Sequence, residues 1–128
     1  MRKENELRRM IMRAAGVVTL IGIFDTSATA ADAARGEIVF RTCAACHTDK
    51  PNAMGPTLKG VYGRKAGSIP EFGYSSAMKR AELVWDETNL RDYIKDPQAK
   101  VKGNRMPFVG LKSPADVDDV ISYLQRLK

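Results

Sequence analysis

Both cysteines and the single histidine of this 128-residue chain fall inside one pentapeptide, Cys43-Ala44-Ala45-Cys46-His47. Two thiols cannot build a disulfide framework, and one imidazole excludes any multi-histidine metal centre. With only three such side chains, a four-ligand zinc site made of Cys and His alone is also excluded. On a helical path positions i, i+3 and i+4 share one face, so Cys43, Cys46 and His47 point to the same side. Whatever this element binds must accept two sulfurs and one imidazole from a single turn.

The first 30 residues read as a targeting segment. Arg2, Lys3, Arg8, Arg9 and Arg13 precede an apolar run from Ala14 to Phe24, and Ala28-Thr29-Ala30 has the small-x-small form of a signal-peptidase site. The apolar run is far short of the roughly 20 residues that span a bilayer, which predicts a secretory signal cleaved after about Ala30 and no permanent membrane anchor. Residues 31–128 then form one domain in the periplasm, with no internal repeat, linker or low-complexity tract. The formal net charge is +6. In the mature part the excess gathers between Lys95 and Lys112, where Lys95, Lys100, Lys102, Arg105 and Lys112 face one acid, Asp96. An exported chain meets little nucleic acid, so this stretch predicts a positive surface that steers acidic protein partners.

No segment alternates with period two, and the pattern predicts an all-α fold. Asp32 caps a first helix in which Gly36, Val39 or Phe40, and Cys43 recur at helical spacing. From Thr48 to Gly73 the chain turns to Gly, Pro and Lys, the composition of a long loop. A short helix is predicted from Ser75 to about Leu83. Another starts near Asp86, buries Leu90, Tyr93 and Ile94, and stops at Pro97, which cannot supply the needed N–H. Val101 to Leu111 is irregular. The last helix is capped by Ser113, has Pro114 in its first position and Asp116 in its first turn, and lines up Val117, Val120, Ile121, Leu124 and Leu127. Three or four short helices give a thin core, and a domain of this size usually needs a staple.

Cys-x-x-Cys-His is the attachment signature of a c-type haem. Two thiols add to the vinyl groups of a flat macrocycle, and the imidazole reaches its iron; a large apolar group bonded to the chain is also the staple the core lacks. A redox dithiol would need a βαβ frame, and no strands are visible. A disulfide between residues three apart closes too small a loop to stabilise much. A metal site of Cys, Cys and an adjacent His lacks a fourth ligand.

From Asp32 to Leu127 the sequence resembles class I cytochromes c, most closely the mitochondrial cytochrome c and bacterial cytochrome c2 group. The resemblance rests on ordered segments: Gly36-Glu37 and Phe40 before the pentapeptide, then Gly55-Pro56-Thr57-Leu58-Lys59-Gly60 and Gly63-Arg64. Phe72-Gly73-Tyr74-Ser75, Trp85, Tyr93 and Pro97 follow, and Met106-Pro107-Phe108-Val109-Gly110 completes the set. It implies three to five helices and loops wrapped around one covalent haem, with the first and last helices packed together where Gly36 and Phe40 meet Val120 and Tyr123. It also implies that the Pro56 carbonyl orients His47, that Arg64, Tyr74 and Trp85 hold a haem propionate, that Tyr93 lies near the second axial ligand, and that Phe108 contacts the cofactor. Met78 and Asn104 depart from the asparagine and threonine of the mitochondrial proteins. Thr42, Gln98 and Ala99 replace lysines of their docking ring, whereas Arg105 and Lys112 match it.

His47 leaves one axial position to fill. Met54 is too near His47 for the chain to pass round the ring, and Met78 falls in a helix, where methionine is usually core filler. Met106 stands in an irregular segment beside Gly103 and Pro107 that can wrap over the ring, and the resemblance agrees. His47 and Met106 are therefore the expected iron ligands. Both axial positions filled means no substrate site, so the expected role is a monomeric periplasmic electron carrier rather than an enzyme. It would run between a quinol-oxidising membrane complex and a terminal oxidase or reaction centre, docking on acidic faces. The alternatives are an electron-transfer subunit dedicated to one periplasmic dehydrogenase, and an open-site haem sensor or peroxidase.

Overall fold

The computed structural model describes residues 30–128. The expected targeting segment lies outside the described residues, apart from Ala30. Five helices are present among the described residues: α1 Ala33–Ala44, α2 Ser76–Lys79, α3 Glu87–Lys95, α4 Pro97–Lys100 and α5 Pro114–Leu124. The only extended pairing among them is an isolated antiparallel bridge between Lys65 and Val84. The fold is all-α.

Each helix starts where a short polar side chain takes an otherwise orphaned N–H. Asp32 accepts from Ala34 N at 2.8 Å, Asp86 from Asn89 N at 2.8 Å, and Ser113 from Asp116 N at 3.2 Å. Two expectations need correcting. The helix predicted from Ser75 to Leu83 ends at Lys79, because Glu82 turns to a φ of 48° and the Leu83 carbonyl is drawn off to accept from Ala66 N at 2.8 Å. Pro97 ends α3 but also begins α4: Asp96 bridges the two as a cap, accepting from Ala99 N at 3.0 Å, and proline fits the first position, where its missing N–H costs nothing.

The main helix contact is α1 across α5. Gly36 makes it possible, since a Cβ there would lie 2.0 Å from the backbone oxygen of Asp119 and 2.9 Å from Tyr123 Cβ. One turn on, the Phe40 and Tyr123 rings meet with centroids 5.0 Å apart. Asp119, buried at 6% exposure, accepts from Asp32 N at 2.7 Å and pairs with Arg35 Nε at 3.1 Å, so its charge is matched where water is excluded. Helix α3 joins through Arg91, which holds Glu87 and Asp118.

The loops are fastened by single backbone bonds. Gly60 N donates to Leu127 O at 2.8 Å, Gly63 N to Trp85 O at 2.9 Å, and Leu111 N to Ile94 O at 2.9 Å. Gly110, at a φ of 87°, presses so closely on α3 that a Cβ would lie 1.9 Å from Lys95 O. These ties bring 48–75 and 101–112 together as the walls of a cleft whose floor is the buried Val61, Trp85, Leu90, Tyr93 and Leu124.

Candidate cofactor site

The cleft has a volume of about 470 Å³. Helix α1 delivers the pentapeptide to it. Cys43 is in its last turn, and the chain continues in helical form, with Cys46 N and His47 N both bonded to Cys43 O at 3.1 and 3.0 Å. The thiols of Cys43 and Cys46 are free and half-buried. Burial pushes the Cys43 thiol above its ordinary pKa, its backbone hydrogen bond draws it partly back, and the neighbouring Cys46 adds to the rise.

His47 Nδ1 lies 2.7 Å from the Pro56 carbonyl oxygen. A carbonyl can only accept, so Nδ1 carries the proton and Nε2 keeps its lone pair. Burial lowers the His47 pKa, with the Pro56 contact opposing, which keeps the ring neutral and basic at one nitrogen near pH 7. Gly55 backs the ring: a Cβ there would lie 2.6 Å from His47 Nδ1 and Cε1. The sequence carries that signal only as Gly-Pro.

Arg64, Tyr74, Trp85, Tyr93, Met106 and Phe108 line the same cleft. Arg64 donates through Nη1 to Lys59 O at 2.9 Å and through Nη2 to Thr57 O at 2.8 Å, which fixes the guanidinium to the loop. Burial raises the Tyr74 pKa, and the Ile69 backbone and the Arg64 charge pull it partly back. Phe72 packs edge-on against Tyr74, centroids 4.8 Å apart, and the Trp85 and Tyr93 rings meet at a tilt with centroids 4.9 Å apart. Desolvation pushes the Tyr93 pKa up to about 12.

The three methionines among the described residues separate by environment. Met54 is 69% exposed, Met78 is 7% exposed in the core cluster, and Met106 is half-buried in the irregular segment after α4; all three reach the cleft. Buried Met78 makes that part of the lining apolar. Asn104 is fully occupied with backbone: Nδ2 donates to Pro97 O and Val101 O at 2.8 and 2.9 Å, and Oδ1 accepts from Met106 N at 2.8 Å. Sequence reasoning noted Asn104 only as a departure and missed its bonds, which depend on where the loop returns.

The residues fit a tethered macrocycle. Two free thiols and an imidazole with one committed nitrogen share the cleft with a thioether, aromatic walls and a fixed guanidinium that suits a carboxylate. No helix among the described residues is long and apolar enough to cross a membrane.

Comparison with known proteins agrees. The cytochrome c family model matches residues 33–128. The chain is 44% identical over 102 residues to a cytochrome c2 of Blastochloris viridis, covering 77% of this chain and 80% of that protein. It is 48% identical over 106 residues to a cytochrome c2 of Rhodomicrobium vannielii, covering 80% and 85%. Among solved structures, cytochrome cH from Methylobacterium extorquens superposes with a TM-score of 0.71 at 46% identity, covering 74% of this chain and 98% of that one. Motif, fold and relatives converge: the chain belongs to the cytochrome c family, as a class I c-type cytochrome of the bacterial c2 group, an electron carrier with one covalently bound haem c and not an enzyme.

Proposed function

We propose that the chain is an exported, soluble, monomeric carrier that moves single electrons in the periplasm, from a quinol-oxidising membrane complex to a terminal oxidase or photosynthetic reaction centre. The haem supplies a one-electron Fe(II)/Fe(III) couple. His47, through Nε2, and Met106, through Sδ, would hold its iron, and Cys43 and Cys46 would tether it through thioether bonds. Arg64, Tyr74 and Trp85 would hold a propionate, Tyr93 would stand near the Met106 side, and Phe108 would pack on the ring. The observation that carries this reading is the 2.7 Å contact of His47 Nδ1 with Pro56 O, which commits one ring nitrogen and leaves the other to a metal in a cleft that also presents a thioether. A soft thioether favours Fe(II) and raises the potential.

Removal of residues 1–30 fits the exposed Ala30 and Ala31, which precede the Asp32 cap, so cleavage leaves α1 whole. The intact mass of the periplasmic protein reads that cleavage directly. For docking, Lys95, Lys102 and Lys112 are exposed and have no acidic partner among the described residues, whereas Lys100 is paired with Asp92 at 2.9 Å. The positive face is thus weaker than its sequence window implies. Electron transfer to an acidic partner should slow as ionic strength rises, and a flat salt response removes the docking claim.

The deciding experiment is the absorption spectrum of the oxidised holoprotein. A sulfur–iron charge-transfer band should be present in the wild type and absent in Met106→Ala, with a lowered potential. Loss of the band in Met78→Ala instead transfers the ligand role to Met78.

A further inference from the structure

The segment from Val101 to Pro107 contains neither helix nor strand, yet it must present Met106 reproducibly. Its stiffness comes from α4. Asn104 is 7% exposed, and its amide joins three backbone groups: the Pro97 and Val101 carbonyls, at 2.8 and 2.9 Å from Nδ2, and the Met106 N–H, at 2.8 Å from Oδ1. Gln98 adds a brace, donating through Nε2 to Asn104 O at 3.0 Å and accepting at Oε1 from Gly103 N at 3.3 Å. Between the two braces the chain turns at Gly103, with a φ of 87°.

We propose that Asn104 is a positioning residue for Met106, a clamp that fixes the backbone of the methionine on α4 and so sets how readily its thioether leaves the cleft. The proposal rests on the reading that Met106 is the second axial ligand. The three bonds are not equivalent. Pro97 O also accepts from Val101 N at 3.0 Å, and Val101 O from Asn104 N at 3.1 Å, so both carbonyls keep a partner if the side chain is cut back. The Met106 amide would lose the acceptor that holds it. Truncation therefore acts mainly on Met106, and the lost bond should raise the population of the opened loop roughly tenfold. A threonine at 104 can accept from the amide two residues on, as hydroxyls do in turns, and should restore part of the hold.

The test uses the holoprotein, with imidazole as the competing ligand and loss of the sulfur–iron band as the signal. Asn104→Ala should bind imidazole roughly tenfold more tightly than wild type, because apparent affinity scales with the open fraction. Asn104→Thr should fall between the two, and Gln98→Ala, at an exposed position, should shift in the same direction by less. Amide hydrogen exchange supplies the second readout: Met106 N–H should exchange faster in Asn104→Ala while Val120 N–H, in the α5 core, keeps its wild-type rate. Unchanged imidazole affinity and unchanged Met106 exchange overturn the clamp. Equal acceleration at Met106 and Val120 also overturns it, since that describes a general structural role. If Asn104→Ala does not fold, the Asn104→Thr and Gln98→Ala pair decides, and wild-type behaviour in both overturns the proposal. A wild type without the sulfur–iron band would instead remove Met106 as ligand, and Met106 exchange in Asn104→Ala would still judge the clamp.

Discussion

At the α1–α5 crossing, two regular helices are locked by direct contact: Gly36 lies against the Asp119 backbone, Phe40 on Tyr123, and Arg35 bridges Asp116 and buried Asp119. The cleft walls have no comparable grip. They are irregular segments fastened at isolated points, such as Gly60 to Leu127 and Leu111 to Ile94, and their apolar inner faces turn toward the cleft rather than toward each other. The crossing is complete in amino acids alone. The walls need something between them, and the family's covalent haem is that missing core. The anchor for the haem hangs from the C-terminal end of α1, so the self-sufficient region presents the group that completes the other.

The largest expected effect tests that dependence directly. Cys43→Ala with Cys46→Ala, which removes the covalent attachment, should abolish the cooperative thermal transition and leave residual helix by circular dichroism. A sharp transition near that of the holoprotein would show that the walls support themselves. Next is the crossing. Gly36→Val drives methyl groups into the Asp119 backbone, which cannot retreat as a side chain can, and should cost about 3 kcal/mol in denaturant unfolding of the holoprotein. A loss below about 1 kcal/mol would mean that the helices slide apart without penalty. The smallest concerns Tyr93, whose pKa rises from an ordinary 10.0 to about 12 through burial. Between those values the unfolded chain releases the phenolic proton and the folded chain keeps it, so this group contributes full stability below pH 10 and loses it progressively toward pH 12. Tyr93→Phe should flatten that alkaline decline by at most about 3 kcal/mol, and an unchanged slope would place Tyr93 in a wetter wall than its burial implies.

The two regions also differed in how far the chain could be read. Helices announce themselves through caps and periodicity, and Asp32, Asp86 and Ser113 each head the helix expected of them. The crossing itself came from the family resemblance, and Gly36 is the residue whose missing side chain permits it. What periodicity concealed was Asp119: it interrupts that stripe like a solvent-facing residue, and only the Arg35 and Asp32 groups from the far end of the chain let it be buried. In the cleft, the pentapeptide was legible because thioether chemistry dictates its spacing, and the remaining wall positions came from family resemblance. The Asn104 contacts were not legible, because an asparagine in a loop looks like any turn former until the loop's return path is known. The pairing of Lys100 with Asp92 was hidden for the same reason, since Asp92 approaches through the α3–α4 bend.

The bond from Gly60 to the Leu127 carbonyl has a practical outcome. It hooks the wall that leads away from His47 onto the penultimate residue of the sequence, beyond the last turn of α5. A purification handle or fusion partner joined after Lys128 would tug on that hook before it disturbed any helix, and the first symptom would be altered colour rather than lost fold.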